Sequence, residues 1–167
     1  MAEHGRFSIA GVRTAQDVSD IAELFRVYAA SLDVDLAYQD FDAELAGLPG
    51  AYAPPTGALL LARGSDGQSL GCVALRPMAE TGCCEMKRLF VTANARELGL
   101  GRALVAAVVS AAEAAGYREI RLDSLPTMSA AIALYRQCGF VAMAPYYDTP
   151  VAGTVFLRRE LSGRTIG

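Results

Sequence analysis

Histidine is almost absent from this 167-residue chain: His4, in an N-terminal segment expected to be mobile, is the only one. That argues against a Ser-His-Asp triad or a histidine general base. The four cysteines, Cys72, Cys83, Cys84 and Cys138, form no Cys-x-x-Cys pair and have no histidine beside them. Such spacing does not suit zinc; reduced, buried thiols are the expectation for three of them, and no metal is expected. No apolar run approaches the roughly 18 residues of a membrane span. The start MAEHGRFSIA lacks the basic-then-apolar layout of a signal peptide, so a cytoplasmic protein is expected. Positive charge is not in excess either. A formal net charge of -3 provides no basic field to hold a nucleic-acid backbone. What is present, 53% hydrophobic and 20% charged residues, is the composition of a folded domain, and the length suits a single one spanning 1–167.

Periodicity divides the chain into alternating strands and helices. Phe7, Ile9 and Val12 suggest a first strand, and Thr14 caps a helix over residues 15–32, with Ile21, Leu24, Phe25 and Tyr28 on one face. A shorter helix over 40–48 ends at Pro49-Gly50. Residues 58–63 and 69–76 read as a hairpin around the turn signal Gly64-Ser65-Asp66-Gly67, and 82–91 as the next strand. A long helix then runs to Gly116, followed by a strand at 119–123, a helix at 129–138, and strands at 140–144 and 154–160. The strand–helix–strand run over 85–123 implies one right-handed parallel crossover in a mostly antiparallel sheet.

The stretch EMKRLFVTANARELGLGRAL (85–104) carries the most chemical information. Arg96, Gly99 and Gly101 enter a helix in the pattern Arg-x-x-Gly-x-Gly. Free N–H groups and the positive end of a helix dipole attract phosphate, and glycine admits its oxygens to the main chain. A dinucleotide site is one candidate, since Asp123 follows about twenty residues later at a strand end. Three features oppose it. Leu104 stands where a third glycine or alanine is needed, the loop 92–98 is too long for the tight turn, and there is a single crossover unit.

The other candidate is acyl-CoA. LFV (89–91), RELGLGRAL (96–104), GYREIRLDS (116–124) and AAIALYRQCGF (130–140) together resemble the GNAT superfamily of acyl-CoA N-acyltransferases. Residues 38–55 and 146–153 resemble a branch of uncharacterised small-molecule acyltransferases. The resemblance implies an α/β GNAT fold: a mixed, mostly antiparallel sheet of six to seven strands with a central splayed parallel pair, flanked by about four helices. It implies acetyl-CoA as co-substrate and an amine as acceptor. Many relatives are dimers, so a homodimer is possible for this chain. Cofactor contacts would come from Leu89, Phe90 and Val91 on the splayed strand. The loop and helix start would add Arg96, Glu97, Leu98, Gly99, Leu100, Gly101, Arg102 and Ala103, and the last helix Ala130 and Leu134. The chain departs from the family pattern at Glu97, Leu98 and Ala130, where a basic residue or glycine, glycine, and asparagine are common.

Acyl transfer by direct attack needs a neutral amine, a polarised carbonyl, aligned reactants and a protonated leaving thiolate. The resemblance implies that a main-chain N–H near Leu89 or Phe90 polarises the carbonyl. It implies Tyr135 as general acid toward the thiolate and Glu85 as base toward the amine. Strand alternation would put Glu85, Lys87 and Leu89 on one face and Met86, Arg88 and Phe90 on the other. Packing alone would also explain Tyr135, and an ion pair with Lys87 or Arg88 would explain Glu85. Tyr38, Phe41, Tyr146 and Tyr147 are candidates to line the acceptor pocket, with Asp40 or Asp148 holding a cationic amine. A non-catalytic acyl-CoA-binding module and acylation of a protein amine remain alternatives.

Overall fold

The protein, analysed as a computed structural model, is described for residues 6–162 and for the backbone of residues 2 and 3; His4 lies outside them. The strands are β1 (Ala2–Glu3), β2 (Phe7–Gly11), β3 (Ala58–Gly64), β4 (Ser69–Pro77), β5 (Cys83–Val91), β6 (Glu119–Ser124), β7 (Val141–Ala142) and β8 (Val155–Glu160). The helices are α1 (Ala15–Ala30), α2 (Phe41–Ala46), α3 (Leu100–Ala114) and α4 (Ser129–Gln137). All eight strands form one sheet in the order β1-β2-β3-β4-β5-β6-β8-β7. Every pairing is antiparallel except β5 with β6. The seven strands and four helices expected from periodicity all form, and β1 extends one edge. No helix among the described residues is long and apolar enough to cross a membrane.

The sheet divides two cores. One contains the buried stripe of α3 (Leu100, Leu104, Val105, Val108) with Val73, Met86, Ile120 and Tyr135. The other contains Ile21, Leu24 and Phe25 of α1 with Phe41, Tyr52, Cys72 and Ala74. Strand β4 contributes to both, because it is covered on both faces.

Caps fix where the helices begin and end. Thr14 Oγ1 accepts from the Asp17 amide at 3.0 Å, and Asp17 Oδ2 accepts from the Thr14 amide at 3.2 Å, a reciprocal capping box. Arg63 of β3 then donates to Asp17 at 2.8 Å and Asp20 at 2.9 Å, tying the start of α1 to the sheet. At its C-terminus α4 closes with Gly139 at φ 92°: the Phe140 amide reaches back to Tyr135 O and the Gly139 amide to Arg136 O, both at 3.1 Å. This is a Schellman closure, which also brings the residue after the glycine against the helix's last turn. The Phe140 and Tyr135 rings accordingly pack with centroids 6.0 Å apart.

Parallel pairing of β5 with β6 covers only Cys83–Glu85 against Glu119–Arg121. Beyond that the strands part, and residues 86–91 of β5 have no strand on the β6 side. On its other side, β5 bulges: Ala74 faces Lys87 and Cys72 faces Phe90, so Arg88 and Leu89 together oppose Val73. Arg88 takes the left-handed conformation, φ 62°, which is rare for a residue with a side chain. Two contacts hold it there. The Cys72 thiol donates to Arg88 O at 3.4 Å, and the guanidinium grips Glu44 of α2 through two hydrogen bonds of 3.0 Å. The Arg88 side chain is only 2% exposed and lies against the rings of Phe41 and Tyr28, at 5.1 and 5.9 Å.

The bulge breaks strict alternation. Lys87 and Arg88 both face the α1 side with Glu85, whereas Leu89 turns to the α3 side and Phe90 back to the α1 side. The expected grouping of Leu89 with Glu85 is therefore corrected, as is that of Arg88 and Phe90 with Met86.

Two outcomes follow for stability. Hydrogen bonds from the Arg13 amide and from Arg63 hold the Asp17 carboxyl at about 2, below its ordinary 3.8. A depressed carboxyl stabilises the fold above the unfolded value and ceases to do so as pH falls through the folded one. Asp17→Asn should cost about 1 kcal/mol at neutral pH, and denaturant titrations should show that gap closing as pH falls from near 3.8 toward 2. Glu44→Gln leaves the Arg88 charge buried without its counter-charge and should cost about 3–5 kcal/mol, most of it recovered in the double variant Glu44→Gln/Arg88→Met. Urea unfolding measures both, and a loss below about 1 kcal/mol in the single variant would show the pair to be dispensable.

Candidate active site at the strand fork

Two clefts enter the gap between β5 and β6 from opposite sides. The first, about 610 Å³, is bounded by Leu89, Phe90 and Val91 of β5, by Arg96 and Gly101, and by Ala130 and Leu134 of α4. Along its wall the unpaired edge of β5 presents main-chain donors and acceptors. Gly99, at φ 74°, turns the chain into α3 without a side-chain cap, so the first amides of that helix remain available. A Cβ on Gly101 would lie 3.2 Å from Leu134 Cδ2, so glycine keeps this corner open. These groups can hold an extended ligand arm ending in a pyrophosphate.

The expected cofactor residues divide accordingly. Leu89, Phe90, Val91, Arg96, Gly101, Ala130 and Leu134 line the groove. Leu98, Leu100 and Ala103 pack into the core, and Gly99 and Leu100 have only main chain to offer. Glu97 is exposed, so its charge is solvated. Arg102 donates to Gln137 Oε1 at 2.6 Å, outside the groove.

The second cleft, about 580 Å³, is lined by Tyr38, Gln39, Arg76, Glu85, Lys87, Tyr146 and Tyr147, with Asp40 also on its wall. Phe41 is absent from it, being 8% exposed beneath Arg88. That corrects its place in the expected acceptor pocket; the left-handed Asp40 begins α2 and the bulged Arg88 covers the ring. Asp148 is exposed and lines neither cleft. Glu85, 3% exposed, has both oxygens engaged. Its partner is Arg76, directly opposite on β4, whose Nε and Nη2 lie 2.9 and 2.8 Å from Oε1. The Tyr146 hydroxyl donates to Oε2 at 2.6 Å. Neither Lys87 nor Arg88 is its ion-pair partner. Burial, then the charges of Glu85 and Asp123, pushes the Tyr146 phenol well above the ordinary tyrosine range.

Between the clefts lies a throat of about 40 Å³ containing Lys87, Asp123 and Tyr135. Tyr135 is 6% exposed, and its hydroxyl has no hydrogen-bond partner among the described residues. Burial raises its pKa, so the phenol stays protonated. Asp123 accepts a short hydrogen bond from the Tyr147 hydroxyl. The sequence had offered Asp123 only for a dinucleotide; its location beside Lys87 depends on where β6 leaves β5. Tyr28, Gln39 and Arg76 also belong to the site without any local sequence signal. Elsewhere, Glu80, Cys83 and Glu119 cluster, but Arg121 and Arg158 neutralise the carboxylates and the Cys83 thiol, pushed up to about 11 by burial and then Glu80, stays protonated. Adjacent Cys83 and Cys84 point to opposite faces and cannot pair.

Residues 18–140 match the model of the acetyltransferase (GNAT) family. An uncharacterised N-acetyltransferase of Schizosaccharomyces pombe is 40% identical over 162 residues, covering 97% of this chain and 99% of that protein. An acetyltransferase of the GNAT family from Staphylococcus aureus superposes with a TM-score of 0.77 at 18% identity, over 93% of this chain and 99% of its own. A phosphinothricin acetyltransferase from Sinorhizobium meliloti, solved in complex with AcCoA, does so with a TM-score of 0.70 at 17% identity, over 97% and 92%. At those identities the structural likeness speaks for the fold. With a forked sheet, a phosphate-ready helix start and a match over most of its length, the chain belongs to the GNAT acetyltransferase family and is an acyltransferase.

Proposed function

We propose that the chain transfers the acetyl group of acetyl-CoA to the amine of a small molecule, by direct attack with both substrates bound at once. One observation carries this reading: the two clefts converge. Tyr28, Leu89 and Met128 are shared by the first cleft and the throat, and Tyr38, Gln39 and Lys87 by the second cleft and the throat. A thioester threaded from one side meets an amine from the other, and holding both supplies much of the rate enhancement. The S. meliloti protein, which shares the fold, is complexed with AcCoA, and this supports acetyl-CoA as donor. Among the described residues no cysteine lines the fork, and Ser124 Oγ donates to Leu125 O; this favours attack by the amine itself over a covalent intermediate.

The amine nitrogen bonds to the acetyl carbon, the carbonyl oxygen gains charge, and the C–S bond then breaks. Free main-chain N–H groups at the bulge stabilise that charge. Glu85 takes the amine proton: Oε1 is occupied by Arg76, whereas Oε2 has accepted only from Tyr146 and keeps a lone pair. Tyr135 gives its proton to the departing thiolate and regains one from solvent. Its support is position: the phenol lines the throat where the two clefts meet, and its hydroxyl has no hydrogen-bond partner among the described residues, so its proton is uncommitted.

Release of free thiol from acetyl-CoA in the presence of an amine panel tests the reading. Binding of acetyl-CoA without turnover on any amine would overturn it. Tyr135→Phe should lower kcat by about 100-fold or more with little change in acetyl-CoA affinity; unchanged turnover removes Tyr135 as the acid. Glu85→Gln should lower kcat/KM by about 100-fold with acetyl-CoA affinity unchanged, and an unchanged kcat/KM places the base elsewhere.

A further inference from the structure

Two cations beside the fork have an ion-pair partner, and Lys87 does not. Arg88 is paired with Glu44 and Arg76 with Glu85. Lys87 is 7% exposed, yet no carboxylate lies within ion-pair distance of it among the described residues. Its ammonium has one long hydrogen bond, 3.4 Å to Gln39 Oε1, leaving two donors unused. The nearby carboxylates are engaged elsewhere, Glu85 with Arg76 and Tyr146, Asp123 with Tyr147. A buried cation without a direct ion-pair partner is costly and is normally neutralised or paired. This one lines both the throat and the acceptor cleft.

Building on the proposed small-molecule acetylation, we infer that the acceptor is a short amino carboxylate, an α- or β-amino acid, whose carboxylate is bound by Lys87. The spacing fits this class. Glu85 and Lys87 are successive residues on the same face of β5, their Cα atoms about 7 Å apart. A molecule carrying an amine and a carboxylate on adjacent or next-adjacent carbons spans that distance with one hydrogen bond at each end. Lys87 immediately precedes the bulge, so a carboxylate held there keeps the amine close to the thioester carbonyl. Burial holds the Lys87 ammonium below the ordinary lysine range. An arriving carboxylate supplies the direct ion pair that neither Glu85 nor Asp123 makes with Lys87.

The experiment compares common α- and β-amino acids with their carboxamides as acceptors, at fixed saturating acetyl-CoA, by thiol release. Carboxamides have the less basic amines and so the larger neutral fraction; without an anchor they would be the better acceptors. The expected result is a kcat/KM about 10- to 100-fold higher for the amino acids, expressed mainly in KM, the worth of one charge-assisted hydrogen bond. Lys87→Met should bring the amino acid down to its carboxamide, and Lys87→Arg should keep part of the preference. Equal use of acid and amide by the wild type overturns the inference while leaving small-molecule acetylation intact, and needs no variant. So does an equal loss on both substrates in Lys87→Met, the mark of a structural lysine. Acetylation of neither kind, with other amines accepted, overturns the inference alone; binding of acetyl-CoA with no thiol release on any amine overturns both.

Discussion

The two-pronged grip of Arg88 on Glu44 is the interaction on which the site depends. A side-chain-bearing residue in the left-handed region sits uphill, and it persists only where its surroundings over-determine it. Here a buried guanidinium, two aromatic rings and the Cys72 thiol do so. The same pair fastens α2 to β5, and so fixes Tyr38, Gln39 and Asp40 at the wall of the acceptor cleft. Without the bulge, β5 would continue its alternation. Arg88 would then enter the α3 core, and Phe90 would lose its edge contact with Tyr28.

Electrostatics in the fork work by removing water. Tyr28, Tyr135, Tyr146 and Tyr147 all have raised pKa values, burial being the largest cause in each. They therefore keep their protons beyond the pH at which a free tyrosine ionises. The same exclusion of solvent makes the Arg88–Glu44 pair a strong local field rather than a screened surface contact. Tyr146 and Tyr147 pack on Phe156 of β8, so the loop that carries them is anchored by aromatic contacts as well as by the hydrogen bonds to Glu85 and Asp123.

Much of this was legible in the chain. The spacing Leu-Tyr-x-x-x-Gly-Phe is the spacing of a Schellman closure, in which glycine supplies the left-handed residue and phenylalanine returns to the tyrosine. Gly99 and Gly101 marked the helix start for a similar reason. The bulge left no such trace, because an arginine rather than glycine or asparagine occupies it; alternation then misplaced Leu89. Phe41 looked like a pocket residue because nothing local reveals that Arg88 covers it. The partner of Glu85 was hidden by distance: Arg76 meets it across β4 and β5, a register that the sequence does not specify. Asp123 was noticed for a ligand that the loop could not bind, and its neighbours come from α1, β5 and the 146–147 loop.

The parallel ladder between β5 and β6 has a mechanical meaning beyond catalysis. The strand ladder between the β1–β5 portion of the sheet and β6, β8 and β7 is three register positions long. A ligand lying along the free edge of β5 inserts a temporary strand where the ladder stops. It joins the two portions as a splint joins a split board, so occupancy and cohesion of the sheet are thermodynamically linked.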